Sequence, residues 1–117
     1  MTLAEMAAEV RRLSYLIEAA NQEQRDQGKA FAQSEQTYRQ AKPEAWAKSA
    51  DMGMLAKERE DWVNGETSDA RYERDLADVL RKSAIDAERS YRGILSGWQT
   101  LVNAHREEAA FDRTGPR

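Results

Sequence analysis

SDARYERDLADVLRKSAIDAERSYRGILSGWQTLVNAHREEAAF, residues 68 to 111, decides the fold. It runs without a proline and carries an apolar or small residue at nearly every third or fourth position, the recurrence that lines one face of an α-helix. Leu76, Leu80, Ser83, Ala87, Ser90, Ile94, Gly97, Leu101, Ala104 and Phe111 make that face, which the spacing predicts as the buried seam of a long last helix. The small residues in its middle allow a partner helix to approach closely. Thr67 or Ser68 is expected to cap the helix, with Asp69 favourable in its first turn.

Working back, the partner is the N-terminal segment. Thr2 followed three residues later by Glu5 is a capping-box pattern. From there Leu3, Met6, Val10, Leu13, Ile17 and Ala20 step in threes and fours, and Gln24, Gln27, Phe31, Ser34, Tyr38 and Ala41 hold the same register. One helix over residues 2–41 is predicted, ending before Pro43 because a residue preceding proline is pushed out of helical geometry. Residues 43–67 form the connector, with a short helix at about 54–63 capped by Asp51 and stopped by Asn64-Gly65. A helix over 68–111 follows, then a frayed tail over 113–117. Two helices of similar length joined by an ample connector imply a single all-α domain, 1–117: a long antiparallel two-helix hairpin, coiled-coil-like, with one or two short helices in the connector.

Composition agrees. Ala, Glu, Lys, Leu and Arg supply 58 of the 117 residues, the signature of long helices, while Leu, Ile, Val and Phe number only 17. A low apolar content signals disorder only beside a high net charge, and here the net charge is −3. With no cysteine, disulfides, thiolate metal sites and a cysteine nucleophile are excluded. Glu5 and Glu9 stand in the first dozen residues where a signal peptide needs basic ones, and no apolar run approaches a membrane span. A cytoplasmic protein with no membrane association is expected.

Two surfaces stand out. Around the last helix, Tyr91, Leu95, Trp98 and Val102 widen the apolar face beyond what one partner helix covers, with Leu13 and Leu16 opposite; these six residues are the predicted interface with a second copy or a protein partner. On the arc facing away from the expected seam lie eight basic residues against three acidic ones. Arg74, Arg81, Arg89 and Arg92 are the candidates there for contacting the phosphates of DNA or RNA. Charged side chains on a solvent face that pair with Glu73, Asp75 and Asp86 would give the same pattern without a ligand. A pI of 5.3 favours that plainer reading over a dedicated duplex binder.

Catalytic chemistry has little support. His105 has only Glu108 at ligand spacing, Glu58, Glu60 and Asp61 lack the glycine-punctuated loop of a hard-cation site, and no phosphate loop or nucleophile motif occurs. No enzyme activity, cofactor or metal is expected.

Trp62-Val63-Asn64-Gly65 has one residue too many for the Trp-x-Gly turn of the secreted helical hairpins, and Tyr72 and Asp75 do not complete their Tyr-x-x-x-acid signal. Residues 70 to 111, with the RYERDLA start and Leu95, Ser96, Gln99, Thr100, Leu101, His105, Arg106, Glu107 and Glu108 toward the end, resemble the C-terminal helix of small all-helical proteins of phages and prophages. Those are encoded beside recombination and replication genes. The resemblance implies a setting in DNA metabolism within a bacterial host, as an adaptor or as a regulator that inhibits a host protein, and it assigns no catalytic residue.

Overall fold

The computed structural model describes residues 1–114. It is all-α: α1 is Leu3–Asp51, α2 is Ala56–Glu66 and α3 is Ser68–Thr114. The long helices α1 and α3 pack antiparallel as a hairpin, and α2 lies in the connector. The chain divides into two compact units, one of residues 1–22 with 84–117 and one of residues 23–83.

In the first unit the start of α1 is capped as its sequence suggests, the Glu5 amide donating to Thr2 Oγ1 at 3.1 Å. Leu13, Ile17 and Ala20 are buried, with Met6 and Val10 half-buried on the same face, so the α1 register reads as expected; Leu3 alone is exposed. Across from them α3 presents Ala84, Glu88, Tyr91, Leu95, Trp98 and Val102, all buried or half-buried. Every one of these lies one residue after a position of the expected seam. Ile94, Leu101 and Phe111 are instead 50%, 53% and 63% exposed. A one-residue offset turns a helix by about 100°, so α3 faces α1 with a different stripe from the one its most aliphatic residues mark.

The second unit shows the same offset, Ala77 being buried and Arg81 half-buried while Leu76 and Leu80 are exposed. It also overturns the expected helix end. α1 continues through Pro43 to Asp51. A proline inside a helix removes one backbone hydrogen bond and crowds the carbonyl four residues back, that of Arg39. Arg39 and Pro43 are both exposed, which leaves that carbonyl within reach of water. Beyond the proline, Ala45 and Ser49 are buried at 8% and 0%, and this packing holds the helical path.

What stops α1 is Gly53. Its φ of +72° is the left-handed conformation glycine adopts freely. The Gly53 amide donates to Ala50 O at 3.0 Å and the Met54 amide to Ser49 O at 3.3 Å, a Schellman closure of the helix. Asp51 therefore ends α1 instead of capping α2, whose N-cap is Leu55 with no side-chain hydrogen bond. Asn64 and Gly65 lie inside α2.

Between α2 and α3 only Thr67 intervenes. Thr67 Oγ1 donates to Val63 O at 2.7 Å and Ser68 Oγ to Gly65 O at 2.8 Å, so both hydroxyls close α2 instead of capping α3. At the far end Arg113 and Thr114 belong to α3, and the rest of the tail expected to fray, residues 115–117, lies outside the described residues.

Candidate interaction surfaces

In the second unit the seam is built from arginines laid over aromatic rings. Arg81 lies over Phe31 at 5.3 Å, Arg74 over Tyr38 at 4.4 Å and Arg59 over Trp46 at 5.1 Å. Phe31 and Tyr38 are seven residues apart on α1, as Arg74 and Arg81 are on α3, so two turns of each helix match in opposite directions. Ala77, between the two arginines along α3, is buried. A guanidinium over an aromatic face gains from the ring quadrupole while its methylene stem covers apolar surface.

Each cation has its own electrostatic setting. Arg74 donates to Asp75 Oδ1, with N–O distances of 3.0 and 3.1 Å, and lies 3.8 Å from Glu35. The hydrogen bond to Asp75 raises the Arg74 pKa further above its usual value. Arg81 contacts Asp78 Oδ1 at 2.8 Å and Lys82 contacts Asp78 Oδ2 at 2.9 Å. Hydrogen bonds first from Arg81 and then from Lys82 hold the Asp78 carboxyl below the ordinary aspartate range. Arg59 donates to Ser49 Oγ at 2.9 Å and to Trp46 O at 3.1 Å, and so fastens α2 to the last turns of α1.

The arginine face expected on the outside of α3 is thereby divided. Arg74 and Arg81 are drawn into the seam, because the helix is rotated by one residue from the expected setting. Arg92 stays exposed and pairs with Glu88 at 2.9 Å, and Arg89 is exposed. The four do not form one solvent-facing phosphate ladder.

The predicted partner interface is also placed differently. Leu13 is 1% exposed, and Leu16, Tyr91, Leu95, Trp98 and Val102 are half-buried. These residues form or flank the seam of the first unit, where Asn21, its amide NH2 turned toward α3, donates to both Glu88 carboxylate oxygens at 2.8 Å. The expectation that they are free for a partner followed from assigning the intrachain seam to the neighbouring stripe.

The stripe left open is the one first read as the seam. In the first unit it comprises Ala87, Ser90, Ile94, Gly97, Leu101, Ala104 and Phe111, exposed at every position except half-buried Ala87. The signal for this reversal was present in α3 as a second, adjacent apolar stripe at the same spacing.

His105 is exposed, and among the described residues no group of three or more His, Asp or Glu side chains converges on a metal position. No helix among them is long and apolar enough to cross a membrane. The chain matches no protein-family model, no curated protein and no solved structure.

Proposed function

We propose that this is a non-enzymatic helical interaction protein, an accessory or adaptor that engages a protein partner through the outer stripe of α3 in its first unit. The observation that carries the reading is the exposure of Ile94, Leu101 and Phe111 on one face at heptad-like spacing, while the neighbouring stripe already serves the hairpin. An apolar strip with no intrachain cover marks an association surface. The resemblance of residues 70 to 111 to small phage proteins supports a working setting of phage recombination or replication. Direct nucleic-acid binding is the weaker reading, since Arg74 and Arg81 are occupied by Tyr38 and Phe31.

Affinity capture with the full chain, beside the exposed-site variant Leu101→Glu, tests this. A partner, whether another protein or the chain itself, should be retained by the wild type and lost by the variant with helicity unchanged by circular dichroism. Equal retention by both would reject the stripe. Tight, salt-sensitive binding of labelled DNA, abolished by reversing Arg89 and Arg92, would replace it with the nucleic-acid reading.

A further inference from the structure

Resting on that reading, we infer that the occupant of the α3 stripe is a second copy of this chain, paired antiparallel, α3 to α3, across residues 87 to 111. The stripe is a heptad seam with alternating steps of three and four. Its positions fall into two sets: Ala87, Ile94, Leu101 and Glu108 form one, and Ser90, Gly97, Ala104 and Phe111 the other. The first set holds the large aliphatic residues, and the second is small until Phe111.

In an antiparallel pair each member of one set faces a member of the other on the partner. The register that keeps all contacts within residues 87 to 111 sets Leu101 over Gly97, Ile94 over Ala104 and Phe111 over Ala87. Each layer then joins a large side chain to a small one, and symmetry supplies each layer twice. A parallel pair would set Ile94 on Ile94 and Gly97 on Gly97, alternating crowding with gaps, which close-packed interiors resist.

Charge permits the antiparallel register. The residues flanking the seam on its outer side, Gly93, Thr100 and Glu107, would meet as Thr100 with Thr100 and Gly93 with Glu107, so no like charges face each other. Glu108 falls opposite Ser90 one layer in from each end, where a small polar side chain faces the carboxylate. Ile94, Leu101 and Phe111, each at least half exposed, supply most of the apolar surface of the stripe, and a narrow strip of this kind suits a small, weak interface near the lower bound of about 1,000 Å² in total. A dimer in the micromolar range is the fitting outcome. The backbone at Gly97 is open, a Cβ there meeting nothing within 4 Å, so its notch is not used within the chain.

Sedimentation equilibrium of the full chain, from low micromolar to near-millimolar concentration, should show a monomer–dimer equilibrium. Gly97→Leu is the diagnostic variant, because leucine improves helix propensity and its Cβ meets no intrachain atom within 4 Å, yet it fills the notch that receives the partner's Leu101. Dimerisation about tenfold to a hundredfold weaker, with an unchanged or higher Tm, is expected. Because the chain has no cysteine, single Ile94→Cys and Ala104→Cys variants can be mixed and oxidised to read orientation. Mixed disulfides between the two variants support the antiparallel pair, and same-position disulfides overturn it. A monomer at every concentration also overturns it. If that monomer still captures another protein in a Leu101-dependent way, the interaction reading survives alone; if Leu101→Glu changes nothing, both fall.

Discussion

The two units use different chemistry to solve the same packing problem. In the first, α1 gives Leu13, Ile17 and Ala20 and α3 answers with Tyr91, Leu95, Trp98 and Val102, an apolar seam of the ordinary kind. In the second, α1 gives Phe31, Tyr38 and Trp46, and each ring is covered by an arginine from α3 or α2. An apolar seam derives its stability from area removed from water. An arginine–aromatic seam covers its rings with methylene stems and leaves part of the charge in solvent. The second therefore adds to its buried Ala45, Val63 and Ala77 a register set by matching cation to ring, while the first rests chiefly on apolar contact.

If that division holds, the largest loss of stability should come from the apolar seam. Leu13 is 1% exposed, and Leu13→Ala would remove most of its side chain from a buried site. A destabilisation of about 2–5 kcal/mol is expected, since the surroundings fill such a cavity only in part. Chemical denaturation monitored by circular dichroism measures it. A cost below about 1 kcal/mol would show that the first unit does not rest on this seam.

A smaller effect should follow from the charged seam. Arg59→Ala removes the donor to buried Ser49 Oγ and to Trp46 O together with the cover over the indole. Ser49 Oγ donates to Trp46 O at 2.7 Å, so neither acceptor is left without a partner. The net loss should stay at about 1.5–3 kcal/mol, that of charge-assisted hydrogen bonding, and be local. Hydrogen exchange should accelerate in α2 and in the last turns of α1 while the amides around Leu13 keep their protection. Uniform acceleration along the chain would mean that Arg59 supports the fold as a whole.

The same contrast explains what could be read from the residues alone. On α1 the apolar positions form one stripe among polar neighbours, so periodicity locates the buried face, and Leu13, Ile17, Ala20, Phe31 and Tyr38 all lie on it. On α3 two adjacent stripes have the same period. The more aliphatic one, Leu76, Leu80, Ile94 and Leu101, faces outward, and the one that packs includes Ala77, Arg81, Ala84 and Glu88. Transfer hydrophobicity ranks those stripes in the wrong order, because an arginine stem lying on a ring counts as polar by residue type yet covers apolar surface. Both surface assignments, the partner face and the arginine face, inherit that rotation. Pro43 misled for a related reason: its local cost is outweighed by the burial of Ala45 and Ser49, and the glycine that ends α1 lies ten residues later.

The smallest effect that separates the two seams concerns acid. Asp78 is held below the ordinary aspartate range by Arg81 and then Lys82, and the same Arg81 covers Phe31. Because the folded pKa is lower than the unfolded one, the contribution of Asp78 is fully present above the ordinary aspartate value. It is lost as pH falls through the depressed value. Asp78→Asn should therefore lower the Tm slightly near neutral pH and leave it equal to the wild type once pH is below both values. Thermal melts of the two proteins across the acid range read this directly, with the gap closing toward low pH. Added salt should narrow the gap at neutral pH as well, since these side chains are partly exposed to solvent. A gap independent of both pH and salt would mean that the carboxylate acts by shape alone, and that the cations of the second seam are held by their rings without help from the acid beside them.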